Sequence, residues 1–337
     1  MRRSAFAALL LGAVALAGLA FLHHSLDRRG PLEGHAVVVI PKGKGVAEIS
    51  RLLERHRIIS SPLLFVAGVR LAGKQSALRA GEYDFPGGVS ARGVMDILVS
   101  GRTVVRKLTV PEGLTSAQVV KLVHGAYGLD GPLVEVPEEG SLMPDTYHYS
   151  YGDGRAQMIL RMEHAMTRAV AELWPKRMNG LLLRSPREAV ILASIVERET
   201  AKPEERPLVA AVFLNRLKKG MALQSDPTVA YGIAVREAAS QRILGRALTR
   251  ADLATPGPYN TYLNKGLPPD PIANPGREAL LAVLHPAPTK ALYFVADGSG
   301  GHAFSRTLDE HNRNVRRWRR LKNRGAITGE AGKATSP

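Results

Sequence analysis

Glu197 and Glu199 stand two residues apart at the end of an otherwise apolar stretch that begins near Val190. Carboxylic acids beside aliphatic side chains are the groups in this chain with most to offer chemically. On a helix, Glu199 lies at i+3 from Val196 and i+4 from Ile195, on the stripe that also carries Leu192. Glu197 lies over Ala193 and Ser194, a smaller and more polar face. Glu199 is therefore expected nearer a buried wall. There its charged form loses hydration, its pKa rises, and the acid can stay protonated at neutral pH and protonate a leaving oxygen. The same spacing also fits two glutamates that close a helix and pair with Arg198, Arg206 or Arg216.

Two later stretches carry groups that suit a sugar. Gln224-Ser225-Asp226-Pro227 and Tyr259-Asn260-Thr261-Tyr262 place amides, acids and phenols in what read as long loops. Amides and carboxylates hydrogen-bond hydroxyls and N-acetyl groups, and aromatic faces stack on pyranose rings. The competing reading of both is turn chemistry, with Asp, Asn and Pro serving the backbone.

Other chemistries fail on residue type. The chain has no cysteine, which excludes disulfides, thiolate-bound zinc, iron–sulfur clusters and a thiol nucleophile. Gly68 to Lys74 spells most of a phosphate loop, but Gln75 stands where a Ser or Thr must meet magnesium, and the stretch reads as apolar helix. Neither HExxH nor GxSxG occurs. His285, His302 and His311 are scattered and fit core or turn roles. No cofactor or metal is expected.

The elements that would position these groups follow from periodicity. Pro186 and Ser185 open the acid-bearing helix, which runs to about Ala201. Arg155–Trp174 and the stretch Leu208 to Gly220 are helical, with Gly220 ending the latter. Residues 222–275 read as loop-rich, Ala291–Ala296 as a strand, and His311–Arg324 as a basic terminal helix. Upstream a pattern occurs three times: Ile40-Pro41-Lys42-Gly43, Phe85-Pro86-Gly87-Gly88 and Val110-Pro111-Glu112-Gly113, each a strand end and turn followed by an amphipathic helix. Such small units must share a neighbour to bury their faces. They read as one or two α+β modules of the LysM kind, or as a spacer.

Ser4 to Leu22 is uncharged for about nineteen residues, the length that crosses a ~30 Å hydrocarbon core. Arg2 and Arg3 precede it, which keeps the N-terminus in the cytoplasm and sends the rest outside. A cleaved signal peptide is the alternative, with Ala15-Leu16-Ala17 as its site. The 337 residues then divide as an anchor over 1–22, a linker over 23–34, the α+β region over 35–125, a catalytic domain over 126–324 and a flexible tail over 325–337. Lys and Arg number 46 and Asp and Glu 30, a net charge of +16. For an outward-facing chain that charge points to wall polymer or anionic lipid rather than nucleic acid.

Leu142-Met143-Pro144-Asp145-Thr146-Tyr147, the segment Ala193 to Thr200, Val212 to Leu217, Leu223 to Val229, Tyr259 to Tyr262, Gly266-Leu267-Pro268-Pro269, His285-Pro286-Ala287 and Tyr293 to Ala296 occur in this order. In this the chain resembles the MltG/YceG-like family of endolytic murein transglycosylases over nearly its whole length. It departs at Met143, where the family commonly has Phe, and at Gly257-Pro258. The resemblance implies an α+β protein: a transmembrane helix, LysM-like modules and a mainly helical, lytic-transglycosylase-like catalytic domain with long loops. It implies cleavage of the MurNAc–GlcNAc bond of nascent peptidoglycan with formation of a 1,6-anhydro end, an inner-membrane location and cell-wall synthases as partners. The second glutamate of the ExE motif, Glu199, is then the catalytic acid. Gln224, Tyr259, Asn260, Tyr262 and Glu197 are the expected substrate-binding residues, with Asn215 and Asp226 supporting them from behind.

Overall fold

Each of the three strand–turn–helix copies forms, but they do not all fold together. The computed structural model describes residues 2–132, 135–237 and 244–331. The chain divides into two units. The first comprises residues 1–107, 127–130 and 148–154, and the second residues 108–126, 131–147 and 155–337.

In the first unit α1 (Arg2–Asp27) precedes β1 (Ala36–Ile40), α2 (Val46–Arg55), α3 (Pro62–Leu71), β2 (Gly81–Phe85) and α4 (Ala91–Ser100). β1 and β2 pair antiparallel, with Val38 opposite Tyr83, and α2 and α3 lie between them in sequence. The β-branched run of β1 suits a pleated, half-buried surface. Val38, Ile40, Leu53, Phe65, Val69, Tyr83, Phe85, Val94 and Leu98 form the core. Ser61 and Ser90 cap α3 and α4 by accepting from Leu64 N and Gly93 N. Gly101, at φ +68, ends α4 in the left-handed conformation that glycine adopts without strain. Glu82 is buried and accepts two 2.7 Å hydrogen bonds from Arg106.

Among the described residues, α1 is the one helix long and apolar enough to cross a membrane. It runs on to Asp27, so the start of the expected 23–34 linker is helical. The reason is packing. Leu26 is buried against Gly68 of α3, and Asp27 accepts a 2.5 Å hydrogen bond from Arg92 of α4.

The second unit holds α5 (Ser116–Gly125), α6 (Arg155–Leu173), α7 (Pro186–Glu199), α8 (Arg206–Lys218), α9 (Asp226–Arg236), α10 (Arg250–Leu253), α11 (Arg277–Leu284) and α12 (Leu308–Ala331). β3 (Val105–Thr109) and β4 (Thr146–Ser150) pair, as do β5 (Tyr293–Ala296) and β6 (His302–Ser305). The third copy's helix, α5, therefore leaves the 35–125 region to which the sequence assigned it. It is tied into the second unit at its start. Ser116 N donates to Glu139 Oε1 at 2.6 Å, and the buried Asn274 side chain donates to Leu114 O at 3.0 Å.

α7 is the central helix. Leu192, Ala193, Ile195 and Val196 pack with Val209, Ala210 and Phe213 of α8, with Ala279, Leu280 and Val283 of α11, and with Met166 of α6. Within the loop-rich 222–275 stretch Ser225-Asp226-Pro227 opens α9, a helix the sequence reading did not mark, whose Val229, Tyr231 and Ile233 are buried. The expected tail over 325–337 is helical to Ala331, and residues 332–337 lie outside the described residues.

Candidate active site

The apolar face that buries α7 delivers its last turn, with Glu197 and Glu199, to the edge of the second unit's core. Ser185 starts the helix by accepting from Glu188 N, and Thr200 ends it in extended conformation. Both acids are held, by different partners.

Glu199 Oε1 accepts a 2.5 Å hydrogen bond from Ser225 Oγ. The residue keeps intermediate solvent exposure. Close packing around the carboxyl is the main reason its pKa is pushed up to about 7, and the nearby Asp226 adds to the rise. The Ser225 hydrogen bond, His302 and Arg216 oppose it.

Ser225 occupies the cap position of α9 but makes no side-chain cap hydrogen bond; its hydroxyl goes to Glu199 instead. Its backbone is fixed on both sides. Ser225 N donates to Thr261 Oγ1 at 3.0 Å, Thr228 Oγ1 donates to Ser225 O at 2.7 Å, and the two threonine hydroxyls are 2.8 Å apart. Gln224 has φ +53, a conformation rare for a non-glycine residue. Its N–H donates to Thr261 O at 3.0 Å, and its side-chain oxygen accepts from Arg216 Nη1 at 3.2 Å.

Arg216 is buried, and its guanidinium donates to the carbonyls of Leu223 and Leu292 at 2.8 and 2.6 Å. Burial lowers its pKa, and Glu199 is among the groups that counter this. Asn215, the preceding residue on α8, donates to the carbonyls of Thr289 and Ala291. Asn215 and Arg216 thus fasten α8 to the chain entering β5, and Arg216 also to the segment that carries Ser225.

Glu197 is enclosed as well, by a different set of groups. Its side chain is 3% exposed, accepts from Arg206 Nη2 at 2.8 Å and from Gly276 N at 2.9 Å, and shares Arg206 with Glu112. Burial raises its pKa, with the Gly276 hydrogen bond and Arg206 opposing. The two acids differ in partner: Glu197 faces a cation and a backbone donor, Glu199 a hydroxyl. Helix-face geometry could not show this, because Arg206 lies on another element.

The tyrosine–asparagine segment is divided among tasks. Tyr262 OH donates to Asp226 Oδ1 at 2.6 Å, and burial followed by Asp226 raises the phenol's pKa. Tyr259 OH donates to Asp270 Oδ2 at 3.1 Å, and its ring meets Tyr231 edge-on at 5.1 Å. Asn260 is buried. Its amide donates to the carbonyls of Leu253 and Thr255 and its oxygen accepts from Tyr262 N, so here it holds the turn. Gln224, Asp226 and Tyr262 therefore gather around the segment next to Glu199, while Tyr259 and Asn260 point their polar atoms elsewhere.

Asp226 also lines a cavity of about 320 Å³ bounded by Gln118, Arg198, Tyr231 and Arg246. The sequence assigned no role of their own to Ser225, Thr228 and Thr261, and offered Arg216 only as an ion-pair partner of the glutamates. The only signal for Ser225 was its place before Asp-Pro, which reads as ordinary turn chemistry.

A mainly helical unit that holds an acid of raised pKa against a serine hydroxyl, with an enclosed arginine nearby, has the means to offer a proton to a polar ligand. The match to known proteins is specific. Residues 38–317 match the YceG-like family, and the chain belongs to it. It is 30% identical to the endolytic murein transglycosylase of Bacillus subtilis, over 84% of this chain and 85% of that one. It is 28% identical to the endolytic murein transglycosylase of Streptococcus pneumoniae, over 86% of this chain and 60% of that longer one. A crystal structure of a YceG-like protein from Listeria monocytogenes aligns over 83% of this chain and 99% of that one, with a TM-score of 0.50 and 29% identity.

Proposed function

We propose that this chain is an endolytic murein transglycosylase, a lyase that cuts peptidoglycan strands internally and so ends their growth. The observation that carries the reading is Glu199, protonated up to about pH 7 and held by Ser225 beside the Tyr262–Asp226 pair. Membership in the YceG-like family and relatives named for this activity support it.

The reaction needs one carboxyl. Protonated Glu199 donates to the oxygen between MurNAc and GlcNAc as that bond breaks and positive charge develops at C1 of MurNAc. Glu199, now ionised, accepts the proton of the MurNAc 6-hydroxyl, whose oxygen bonds to C1 and closes the 1,6-anhydro ring. No water is consumed, and the acid returns to its starting state. Ser225 stabilises the carboxylate of the intermediate stage, with the charge of Arg216 close by. Gln224, Tyr259, Asn260, Tyr262 and Glu197 are assigned to binding or shaping the glycan groove, and Asn215 and Asp226 to supporting it.

The rest of the chain fits this task. α1 anchors the protein in the inner membrane with its N-terminus in the cytoplasm. The strand–helix–helix–strand order of β1, α2, α3 and β2 suits a LysM-like glycan contact, and the second unit serves as the lytic-transglycosylase-like domain. Peptidoglycan is the substrate, and synthases that make it are the expected neighbours.

The test is mass spectrometry of purified glycan strands after incubation with the protein. Anhydro-ended fragments are expected, and Glu199→Gln should reduce them by at least ~10³-fold with the fold intact. Reducing ends in place of anhydro ends would make the protein a hydrolase. Strands left intact by the wild type would make it a non-catalytic wall-binding scaffold. Retention of activity in Glu199→Gln would move the acid role to Glu197.

A further inference from the structure

In the first unit, a cavity of about 390 Å³ lies between the outer end of α1 and the start of α3. Phe21 and Leu64 give it apolar wall, Ser25 and Ser61 hydroxyls, and Arg28 and Arg29 its charge; no carboxylate lines it. The acid next in sequence, Asp27, is engaged with Arg92 at 2.5 Å and His23 at 3.0 Å. Among the described residues neither Arg28 nor Arg29 forms an ion pair, and both are exposed. Ser61 Oγ accepts from Leu64 N, which leaves its own proton to donate outward.

The cavity is fixed to the apolar helix rather than hung from it. Leu26 fills the space over Gly68, where an added Cβ would meet the Leu26 methyl groups at 2.6 and 2.8 Å. Position along the helix sets the depth. The uncharged run ends at Leu22, and at 1.5 Å per residue Ser25 lies about 5 Å and Arg28 about 9 Å beyond it. The headgroup layer begins there and is roughly 5–7 Å thick, so Ser25 lies within it and the Arg28 backbone just outside its outer margin, within reach of a long guanidinium side chain. Leu63, in the first turn of α3, is 82% exposed, an apolar group that an acyl chain would cover.

We propose that this cavity binds the phosphodiester headgroup of an anionic phospholipid in the outer leaflet, with its chains along Phe21 and Leu63. Two guanidinium groups and a serine hydroxyl match the donor needs of a phosphodiester. A zwitterionic lipid would bring an ammonium group toward two arginines. The inference rests on the reading of α1 as a membrane anchor, and the bound lipid would fix the height of the first unit above the bilayer.

The full-length protein, reconstituted in nanodiscs of equal phosphatidylglycerol and phosphatidylcholine, is released and its retained lipids counted by native mass spectrometry. Wild type is expected to retain phosphatidylglycerol over phosphatidylcholine by roughly tenfold or more. The double variant Arg28→Gln, Arg29→Gln should lose that preference while keeping its circular dichroism spectrum and its glycan cleavage in detergent. Equal retention of the two lipids by wild type, or an unchanged preference in the double variant, overturns the proposal. So does loss of the preference on Arg316→Gln, Arg317→Gln, Arg320→Gln, which would place the lipid on α12. Saturable binding of inorganic phosphate alone to the detergent-solubilised protein would replace the lipid by a free anion. A chain that never enters the nanodisc refutes both the site and the anchor, whereas insertion without preference refutes the site alone.

Discussion

Glu197 and Glu199 leave the same turn of α7, and what each meets decides which can hold a proton at neutral pH. Arg206 and Gly276 N favour the charged form of Glu197, whereas Glu199 has a single hydroxyl donor against a larger loss of hydration. An acid that donates its proton in the reaction loses rate as it ionises, so kcat is expected to fall above about pH 7. Ser225 lowers that pKa by donating to the carboxylate. In Ser225→Ala the falling limb should therefore move to higher pH, with kcat reduced about 10–100-fold at its optimum. A pH–rate profile checks both, and an unmoved limb would remove Ser225 from the catalytic arrangement. The same pKa acts on stability, with a sign opposite to that of a salt-bridged carboxylate. The folded protein binds the Glu199 proton more tightly than the unfolded chain does, so stability is greatest below about pH 4.5 for this group and declines as pH rises through about 7. Glu199→Gln should accordingly be more stable than wild type at pH 8, by on the order of 1–3 kcal/mol, and about equal to it at pH 4. Thermal melts at the two pH values are the measurement.

At the level of elements, α7 is positioned by what closes around its end. Gly276 N donates to Glu197 just before α11 begins. Asn274, two residues earlier and fully buried, accepts from Leu142 N at 2.8 Å and donates to Leu114 O at 3.0 Å. Asn274→Ala strands both groups and is expected to destabilise the fold by about 2–4 kcal/mol in chemical denaturation. Arg206→Met leaves Glu197 buried without its cation and should destabilise by about 3–5 kcal/mol at pH 8, with much less effect at pH 4, where Glu197 can be neutral. α7 was readable because Ser185-Pro186 spells its start, and apolar stripes marked the faces of the helices that follow the three turn motifs. α9 was not, because its Ser-Asp-Pro start equally spells a turn. Only the burial of Val229, Tyr231 and Ile233 resolves the ambiguity.

On the scale of the whole molecule, net charge sets the company the protein keeps. On the proposed outward-facing topology, a charge of +16 attracts acidic wall polymer and anionic lipid through long-range, salt-sensitive forces. Co-sedimentation with purified peptidoglycan sacculi should therefore weaken severalfold between about 50 and 300 mM salt, as the Debye length shortens. A salt-independent bound fraction would show that neutral sugar contacts dominate.

Sequence alone determined the local grammar: the apolar helix, the strand–turn–helix copies, the acid-bearing helix and the order of motifs that marks the family. These depend on neighbours a few residues apart, and periodicity and capping report them directly. Tertiary structure decided which acid faces a cation and which a hydroxyl, and that Ser225 gives its hydroxyl to Glu199 rather than to its own helix. Those outcomes join residues such as Glu199 and Ser225, or Glu197 and Gly276, that are distant in the chain. A pKa depends on the groups enclosing the acid, and no pattern along one helix contains them.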